Sequence, residues 1–361
     1  MDDDIRRLRA RLASLDAERR AVEAELERLE ANRSSRNSLR RATTEKPSGD
    51  AVSAERSVAE KLALFRSLFL GRPDVFAARW ENPKTGRSGY APACANEWVK
   101  GICEKPRVKC SDCLHRAFLP FTDEIVEGHL RGTRGYARDG GTFVVGVYPM
   151  LADDTCRFLA IDFDDETWSA DARAVIETAD AMGIPAALER SRSGSGGHVW
   201  IFFDQPIAAV TARRLGAALL TETMERRPDI GFSSYDRFFP AQDTLPLGGF
   251  GNLIALPLQR RARDQANSVF VDADLTPFPD QWAYLASLER CALETVERVD
   301  EAAESTGRVL GVRMSVDDEE ADEPWRLTPS RRRAPPAISA SMPARLRVVL
   351  ADQLWFDRAG L

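Results

Sequence analysis

The chain has 361 residues, 43% of them hydrophobic and 29% charged, so it can bury the core of one large or two ordinary domains. Its formal net charge of -6 excludes a protein that coats nucleic acid through a uniformly basic surface. It has no apolar run of about eighteen residues and begins with acidic residues, which predicts a cytoplasmic protein that is neither exported nor inserted in a membrane.

The first predicted element is a heptad helix over residues 1–31. Its apolar stripe consists of Ile5, Leu8, Leu12, Leu15, Val22, Leu26 and Leu29. Such a stripe must be covered, either by a second copy of the helix, which would make the chain self-associate, or by another part of the same protein. Residues 32–53 are polar and contain Ser, Arg, Thr, Pro and Gly, which predicts a flexible linker.

Residues 54–141 are predicted to be a helical and zinc-knuckle portion. An amphipathic helix starts near Ala54 and ends near Gly71, and a loop-rich stretch with four cysteines follows. These cysteines are Cys94, Cys103, Cys110 and Cys113. In a chain without an export signal they indicate a tetrahedral Zn²⁺ site rather than disulfides, with His115 as an alternative ligand. Cys156 and Cys291 are predicted to be buried apolar residues.

Residues 142–317 are predicted to be a catalytic core of the α/β or α+β class. Runs rich in Val, Phe and Ile predict strands at 143–148, 158–161, 198–203 and 252–258, and amphipathic patterns predict helices at 169–182 and 207–226. The acidic and then basic, proline-bearing residues 318–361 are predicted to be a polar linker or tail.

The first candidate site is the sequence Asp162-Phe163-Asp164 at the end of a predicted strand. Residues two apart in a strand point to the same side, so both carboxylates would share one metal-sized space. Their repulsion requires a cation, for which Mg²⁺ or Mn²⁺ is the usual choice. The motif also occurs in glycosyltransferases and in solvated turns, so it does not identify a reaction by itself.

The second candidate site is a glycine-rich loop that leads into a strand. Glycines let backbone N–H groups approach phosphate oxygens, and serine hydroxyls add donors. The predicted nucleotide-binding residues are Arg192, Ser193, Ser195, Gly196, Gly197 and His198. The Gly-Lys-Ser/Thr ending of a Walker loop is missing. An ordinary surface turn is the alternative interpretation.

A third acidic stretch, residues 235–243, precedes another glycine turn and an apolar strand at 248–257. It offers Asp236 and Asp243 as further carboxylates. A hairpin with surface aspartates is the alternative.

In this order the motifs resemble the archaeo-eukaryotic primase superfamily, in which a strand-borne Asp-X-Asp, a Ser-X-His-like motif and a later single Asp follow one another. The resemblance runs over residues 54–290 and is strongest to the primase-polymerase domains of TOTE conflict systems and to CRISPR-associated primase-polymerases. It is carried by residues 148–151, 156–164, 193–200 and 239–243.

The resemblance implies an α+β fold: a catalytic core with a sheet like the RNA-recognition motif, and an accessory αβ portion that bears the zinc element. It implies template-directed synthesis from dNTPs or NTPs on single-stranded DNA, with primers that can be started de novo. Asp162, Asp164 and Asp243 would hold two Mg²⁺ or Mn²⁺ ions, and Ser193 and His198 would grip the nucleotide. Asp236 is then assigned a structural role, although it lies in the same stretch as Asp243.

A helicase or CRISPR adaptation proteins are the further partners that the resemblance implies. Two other classes of function stay open at this point. One is a metal-dependent nuclease or glycosyltransferase that uses the same Asp-X-Asp. The other is a noncatalytic zinc module that binds nucleic acid.

Overall fold

A computed structural model describes residues 56–82, 84–133, 143–164, 166–227, 235–245 and 248–305. The heptad helix, the linker and the C-terminal tail predicted from the sequence lie outside these residues. The fold described below belongs to a unit that begins at Ser57.

The described residues form seven helices and nine strands. The helices are α1 (Val58–Phe69), α2 (Asp123–Arg131), α3 (Trp168–Met182), α4 (Ala209–Arg226), α5 (Arg260–Arg263), α6 (Gln281–Ser287) and α7 (Leu293–Ser305). The strands are β1 (Ala77–Glu81), β2 (Ser88–Pro92), β3 (Val145–Val147), β4 (Thr155–Asp164), β5 (Ala187–Arg190), β6 (Gly196–Ala208), β7 (Tyr235–Phe239), β8 (Ile254–Ala255) and β9 (Val269–Phe270).

The strands form two antiparallel sheets, so the mixed α+β class predicted from the sequence is confirmed. One sheet has the order β2-β1-β3-β8 and the other has the order β7-β4-β6-β5-β9. β1 and β2 come from the predicted accessory portion but share a sheet with β3 and β8 of the predicted core. Buried side chains of α1 and of β4 and β6 belong to one hydrophobic cluster.

The two faces of the five-stranded sheet differ because successive side chains of a strand point in opposite directions. On one face, β4 packs against α3 and α4, where an added Cβ at Gly216 would touch Leu159 and Phe238. On the other face, α1 covers the aromatic part through Phe69, which meets Trp200 edge to face. The end of this second face beyond Trp200 carries polar side chains, and the candidate site lies there.

Several predicted elements are confirmed with shifted ends. The helix predicted after Ala54 is α1, which starts at a capping box formed by Ser57 and Glu60. The helices predicted at 169–182 and 207–226 are α3 and α4. The Asp-X-Asp motif forms the last residues of β4, as predicted, and both aspartates pair with residues of β6.

Candidate active site

Three carboxylates from two neighbouring strands converge at one edge of the five-stranded sheet. They belong to Asp162 and Asp164 of β4 and Asp236 of β7, and one oxygen of each lies within 4.8 Å of the others. We call this group the carboxylate cluster. Its chemistry is that of a site for a hard divalent cation, because carboxylate oxygens are the ligands that Mg²⁺ and Mn²⁺ prefer.

A β-bulge brings Asp236 into this group. β7 pairs with β4 so that Arg237 lies opposite Asp162 but Tyr235 lies opposite Phe163, which leaves Asp236 as the extra residue. Regular alternation would turn Asp236 away from the face that Arg237 occupies, whereas a bulge changes the direction of the extra side chain. The Arg237 Nε donates to Asp236 Oδ2 at 2.7 Å, so both side chains meet beside the cluster.

Asp243 does not belong to the cluster, and the prediction that it lies beside Asp162 and Asp164 is wrong. β7 runs antiparallel to β4, so the start of β7, and not the chain after its end, meets the end of β4. Asp243 follows the end of β7 and is half exposed, where it forms an ion pair with Arg213 of α4. Asp236, the alternative that the sequence also offered, occupies the position beside Asp162 and Asp164 that was predicted for Asp243.

His198 lies beside the cluster in a row that crosses three strands. It pairs with Asp162 on β4 and with Glu189 on β5. Its Nε2 lies 3.4 Å from Asp162 Oδ1, and its Nδ1 lies 2.9 Å from Glu189 Oε2. The imidazole is therefore held between two carboxylates at the edge of the predicted metal site.

The electrostatics of the site follow from this crowding. Burial raises the pKa of the Asp164 carboxyl, and the negative charges of Asp162 and Asp236 raise it further. Burial alone would lower the pKa of His198, but the carboxylates of Glu189 and Asp162 outweigh it and raise that pKa well above its usual value. The two carboxylates thus favour the protonated form of the imidazole at the rim of the site.

Two glycines of the predicted nucleotide loop are required by packing. A Cβ at Gly196 would come within 2.4 Å of Asp164 Oδ1, and one at Gly197 would come within 2.5 Å of the Trp168 ring. A side chain at Gly196 would therefore clash with the carboxylate cluster, and a side chain at Gly197 would clash with α3 on the other face of the sheet. The backbone at Gly196 and Gly197 can therefore lie next to Asp164 and Trp168 only because these two residues have no side chains.

The rest of the loop is ordered by its own serines and by contacts outside the sheet. Ser193 Oγ lies 3.0 Å from Ser191 Oγ and accepts from the Ser195 N–H at 3.3 Å. Burial raises the pKa of the Tyr90 phenol of β2, and the nearby positive charge of Arg192 opposes this rise. Gly196, Gly197 and His198 pair with Asp164, Phe163 and Asp162 of β4, and Arg192, Ser193 and Ser195 lie in the loop that precedes this pairing.

The four predicted zinc ligands line one cavity, between the bridge of Cys94 to Phe118 and the turns that it encloses. We call residues 94–118 the cysteine unit. His115 also lines this cavity. Cys94 Sγ accepts from the Ala117 N–H at 3.4 Å, as metal-bound thiolates in knuckles also do. Within residues 84–133, which the structure describes without a gap, no three of these ligand atoms lie within 4.8 Å of one another.

Sequence reasoning missed Glu189. It lies on β5, which was not predicted, and it is nearly fully buried, at 1% exposure. The available signal was a single acidic residue directly after the apolar stretch 184–188, since an acidic side chain is rarely buried without a partner. The two other isolated cysteines, Cys156 and Cys291, are buried as predicted.

None of the described helices is long and apolar enough to cross a membrane.

Comparisons with known proteins identify a family that matches this chain and a solved structure that is similar to it. Residues 60–299 match the family described as TOTE conflict system, Archaeo-Eukaryotic Primase domain, a range that contains the carboxylate cluster, the glycine-rich loop and the cysteine unit. Among solved structures, the polymerase domain of Mycobacterium tuberculosis Ligase D in complex with DNA is similar with a TM-score of 0.31 and 14% identity, over 70% of this chain and 90% of that chain. No curated protein matches the chain significantly.

Proposed function

Because the chain belongs to the archaeo-eukaryotic primase domain family of TOTE conflict systems, we propose that it is a template-directed DNA or RNA primase-polymerase. Membership of this family makes it a nucleotidyltransferase in general terms. The finer proposal is that it joins dNTPs or NTPs on a single-stranded DNA template and can start a primer de novo. The observation that carries it is the convergence of Asp162, Asp164 and Asp236 within 4.8 Å at the edge of the sheet.

We propose that the carboxylate cluster holds the catalytic Mg²⁺ or Mn²⁺, as two ions when substrate is bound. The fit rests on the donor set and on charge: three carboxylates share one space, and their repulsion raises the pKa of Asp164, which a bound cation would relieve. When bound, the metal supplies activation of the attacking 3′-hydroxyl and neutralisation of the triphosphate.

The chain's own residues would bind and orient the nucleotide. A triphosphate beside the cluster would meet the His198 Nε2–H, and the backbone N–H groups and hydroxyls of Ser193 and Ser195 lie on the loop that ends at this strand. Arg192 and Arg237 add positive charge on either side. Catalysis would come from positioning and charge neutralisation, so no covalent intermediate with the protein is needed.

For the cysteine unit we propose a structural zinc bound by Cys94, Cys103, Cys110 and Cys113. All four line the same cavity, and the unit consists of turns with few buried apolar side chains. A tetrahedral Zn²⁺ would provide the cross-link that such a segment otherwise lacks. Zinc content of the purified protein, measured by elemental analysis, tests this proposal, and a chain free of zinc with normal stability would contradict it.

The function itself is tested by supplying single-stranded template, no primer, and labelled dNTP or NTP with Mg²⁺ or Mn²⁺. We expect new labelled products of discrete length. A preparation of the Asp162→Asn, Asp164→Asn double variant is the control for contaminating polymerases, because it keeps the side-chain shapes but removes two charges from the cluster. Degradation of the template without incorporation would indicate a nuclease instead. Extension only of an added primer would retain the polymerase and remove de novo initiation.

A further inference from the structure

Glu189 is a buried carboxylate next to the carboxylate cluster but outside it. One of its oxygens, Oε2, faces two donors: the Nδ1 of His198 at 2.9 Å and the Nε1–H of Trp200 at 2.8 Å. The Glu189 side chain is only 2% exposed. An acidic side chain in such a place needs partners, and here both partners belong to the strand that carries the candidate nucleotide-binding histidine.

The position of this oxygen is set by aromatic packing. Trp200 is fully buried, and its ring contacts Phe69 edge to face at 5.1 Å, Phe158 at 5.3 Å and Phe202 in a stacked arrangement at 5.9 Å. These contacts leave the indole little freedom to move. Because its N–H points at Glu189, the carboxylate is fixed from the hydrophobic core and not from the solvent side.

The position of the Glu189 carboxylate determines the orientation of the His198 ring. A carboxylate oxygen accepts hydrogen bonds, so the Nδ1 that faces it carries the proton and the ring cannot rotate without losing that bond. The other nitrogen, Nε2, is then directed toward Asp162 Oδ1 at 3.4 Å. Main-chain pairing supports the same arrangement, since Glu189, His198 and Asp162 lie opposite one another on β5, β6 and β4.

We propose that Glu189 is a positioning residue: together with Trp200 it holds the His198 ring so that Nε2 faces the triphosphate of the incoming nucleotide beside the carboxylate cluster. The identity of this ligand rests on the proposed function, whereas the orientation of His198 does not. If Glu189 served only to satisfy the buried indole N–H, its removal would act on stability and not through His198.

The orientation is tested first, without any substrate. The chain contains three histidines, so the full-length protein labelled with ¹⁵N-histidine gives few ring signals, and His198→Gln assigns those of His198. We expect a slowly exchanging Nδ1–H for His198 that is lost in Glu189→Leu and kept in Glu189→Gln, whose amide oxygen still accepts. An Nδ1–H that survives in a folded Glu189→Leu protein would overturn the proposal, even if the protein polymerises as expected.

The consequence for nucleotide binding is tested by a double-mutant cycle. Glu189→Leu should raise the KM for the nucleotide by about tenfold or more, as loss of an orienting partner commonly does, with a much smaller change in the KM for the template. In a His198→Ala background the same substitution should add nothing. Factors that instead multiply in the double variant would show that Glu189 acts independently of His198 and would reject the proposal.

A second variant keeps the cycle informative if Glu189→Leu does not fold. Trp200→Phe removes one donor to Glu189 while it keeps an aromatic ring in the core. It should raise the nucleotide KM by less than about tenfold and lose this effect in the His198→Ala background. If the wild-type chain did not polymerise nucleotides, only the proposed function would be rejected. The orientation of His198 would still be tested, because its ring signals are measured without substrate.

Discussion

The carboxylate cluster and the cysteine unit are both sets of predicted metal ligands, but they are built in opposite ways. The cluster stands on paired strands over a core in which Phe163 and Trp200 are fully buried. The cysteine unit consists of turns and exposes Trp98 by 67% and Leu114 by 95%. The comparison teaches that strand pairing brings the carboxylates together, whereas few buried apolar side chains hold the turns of the cysteine unit. We therefore expect only the second site to depend on a bound metal for its structure.

The two regions also differ in what a metal must displace. At the cluster, burial and the neighbouring negative charges raise the pKa of Asp164, so the free site is strained by repulsion. In the cysteine unit, burial raises the pKa of the Cys110 thiol, although the positive charge of Lys105 opposes this rise. Under the zinc proposal, a bound metal would replace the thiol proton. Removal of a ligand should therefore relieve the first region and weaken the second.

The largest expected effect comes from Asp236→Asn. We expect primer synthesis and extension to fall by about a thousandfold, because a metal ligand is lost from the cluster. The free energy of unfolding should stay the same or rise, because repulsion with Asp162 and Asp164 is relieved. Incorporation assays at matched Mn²⁺ and urea unfolding measure the two effects, and an active variant would remove Asp236 from the site.

The next effect is that of Cys110→Ser in the cysteine unit. We expect loss of bound zinc and local unfolding between Cys94 and Phe118, which trypsin would detect as new cleavage after Lys100 or Lys109. A chelator should have the same effect on the wild-type chain. Cys291→Ser is the matched control, because that thiol is buried outside the unit and should leave the zinc content unchanged. Equal zinc in both variants would contradict the proposal.

The third effect concerns a buried histidine outside the cysteine unit, which is held by hydrogen bonds. His129 of α2 accepts from the Val145 N–H at its Nδ1 and donates from its Nε2 to the Pro257 carbonyl. Burial lowers its pKa to about 4. The unfolded chain, with a histidine pKa near 6.5, takes up the proton first, so this contribution is present above about pH 6.5 and is lost as the pH falls toward 4.

The expected size of this loss is about 3 kcal/mol between pH 6.5 and 4, at 1.36 kcal/mol per unit of pKa difference. Urea unfolding as a function of pH measures it. His129→Gln should be less stable at neutral pH but should lack this part of the pH dependence, and chelation should leave the slope unchanged. The same slope in both proteins would mean that His129 is not its source.

The sequence predicted those parts of the site that depend on local geometry. Asp162 and Asp164 share a face because they are two apart in one strand, and the four cysteines line one cavity because they are close along the chain. The position of Asp236 depends on the direction in which β7 pairs with β4 and on the bulge between them. The position of Glu189 depends on the register of β5 against β6. Pairing between distant strands leaves no local pattern, so these assignments had to come from the structure.

The smallest expected effect is that of Asp243→Asn, which makes the same chemical change as Asp236→Asn at the residue that the sequence favoured. Its carboxylate is 51% exposed and pairs with Arg213 of α4, whose side chain is only 13% exposed. The amide oxygen of Asn can still accept from that guanidinium, so the substitution should cost about 1 kcal/mol of stability. Nucleotide incorporation should stay within about twofold of the wild type, because Asp243 is not among the grouped carboxylates that could hold a metal. Added salt should reduce the stability difference, since it screens the half-exposed carboxylate of Asp243. Measured side by side, the two aspartates decide the assignment: if Asp243→Asn abolishes incorporation while Asp236→Asn retains it, β7 does not pair with β4 as described, and the metal site belongs at the opposite end of that strand.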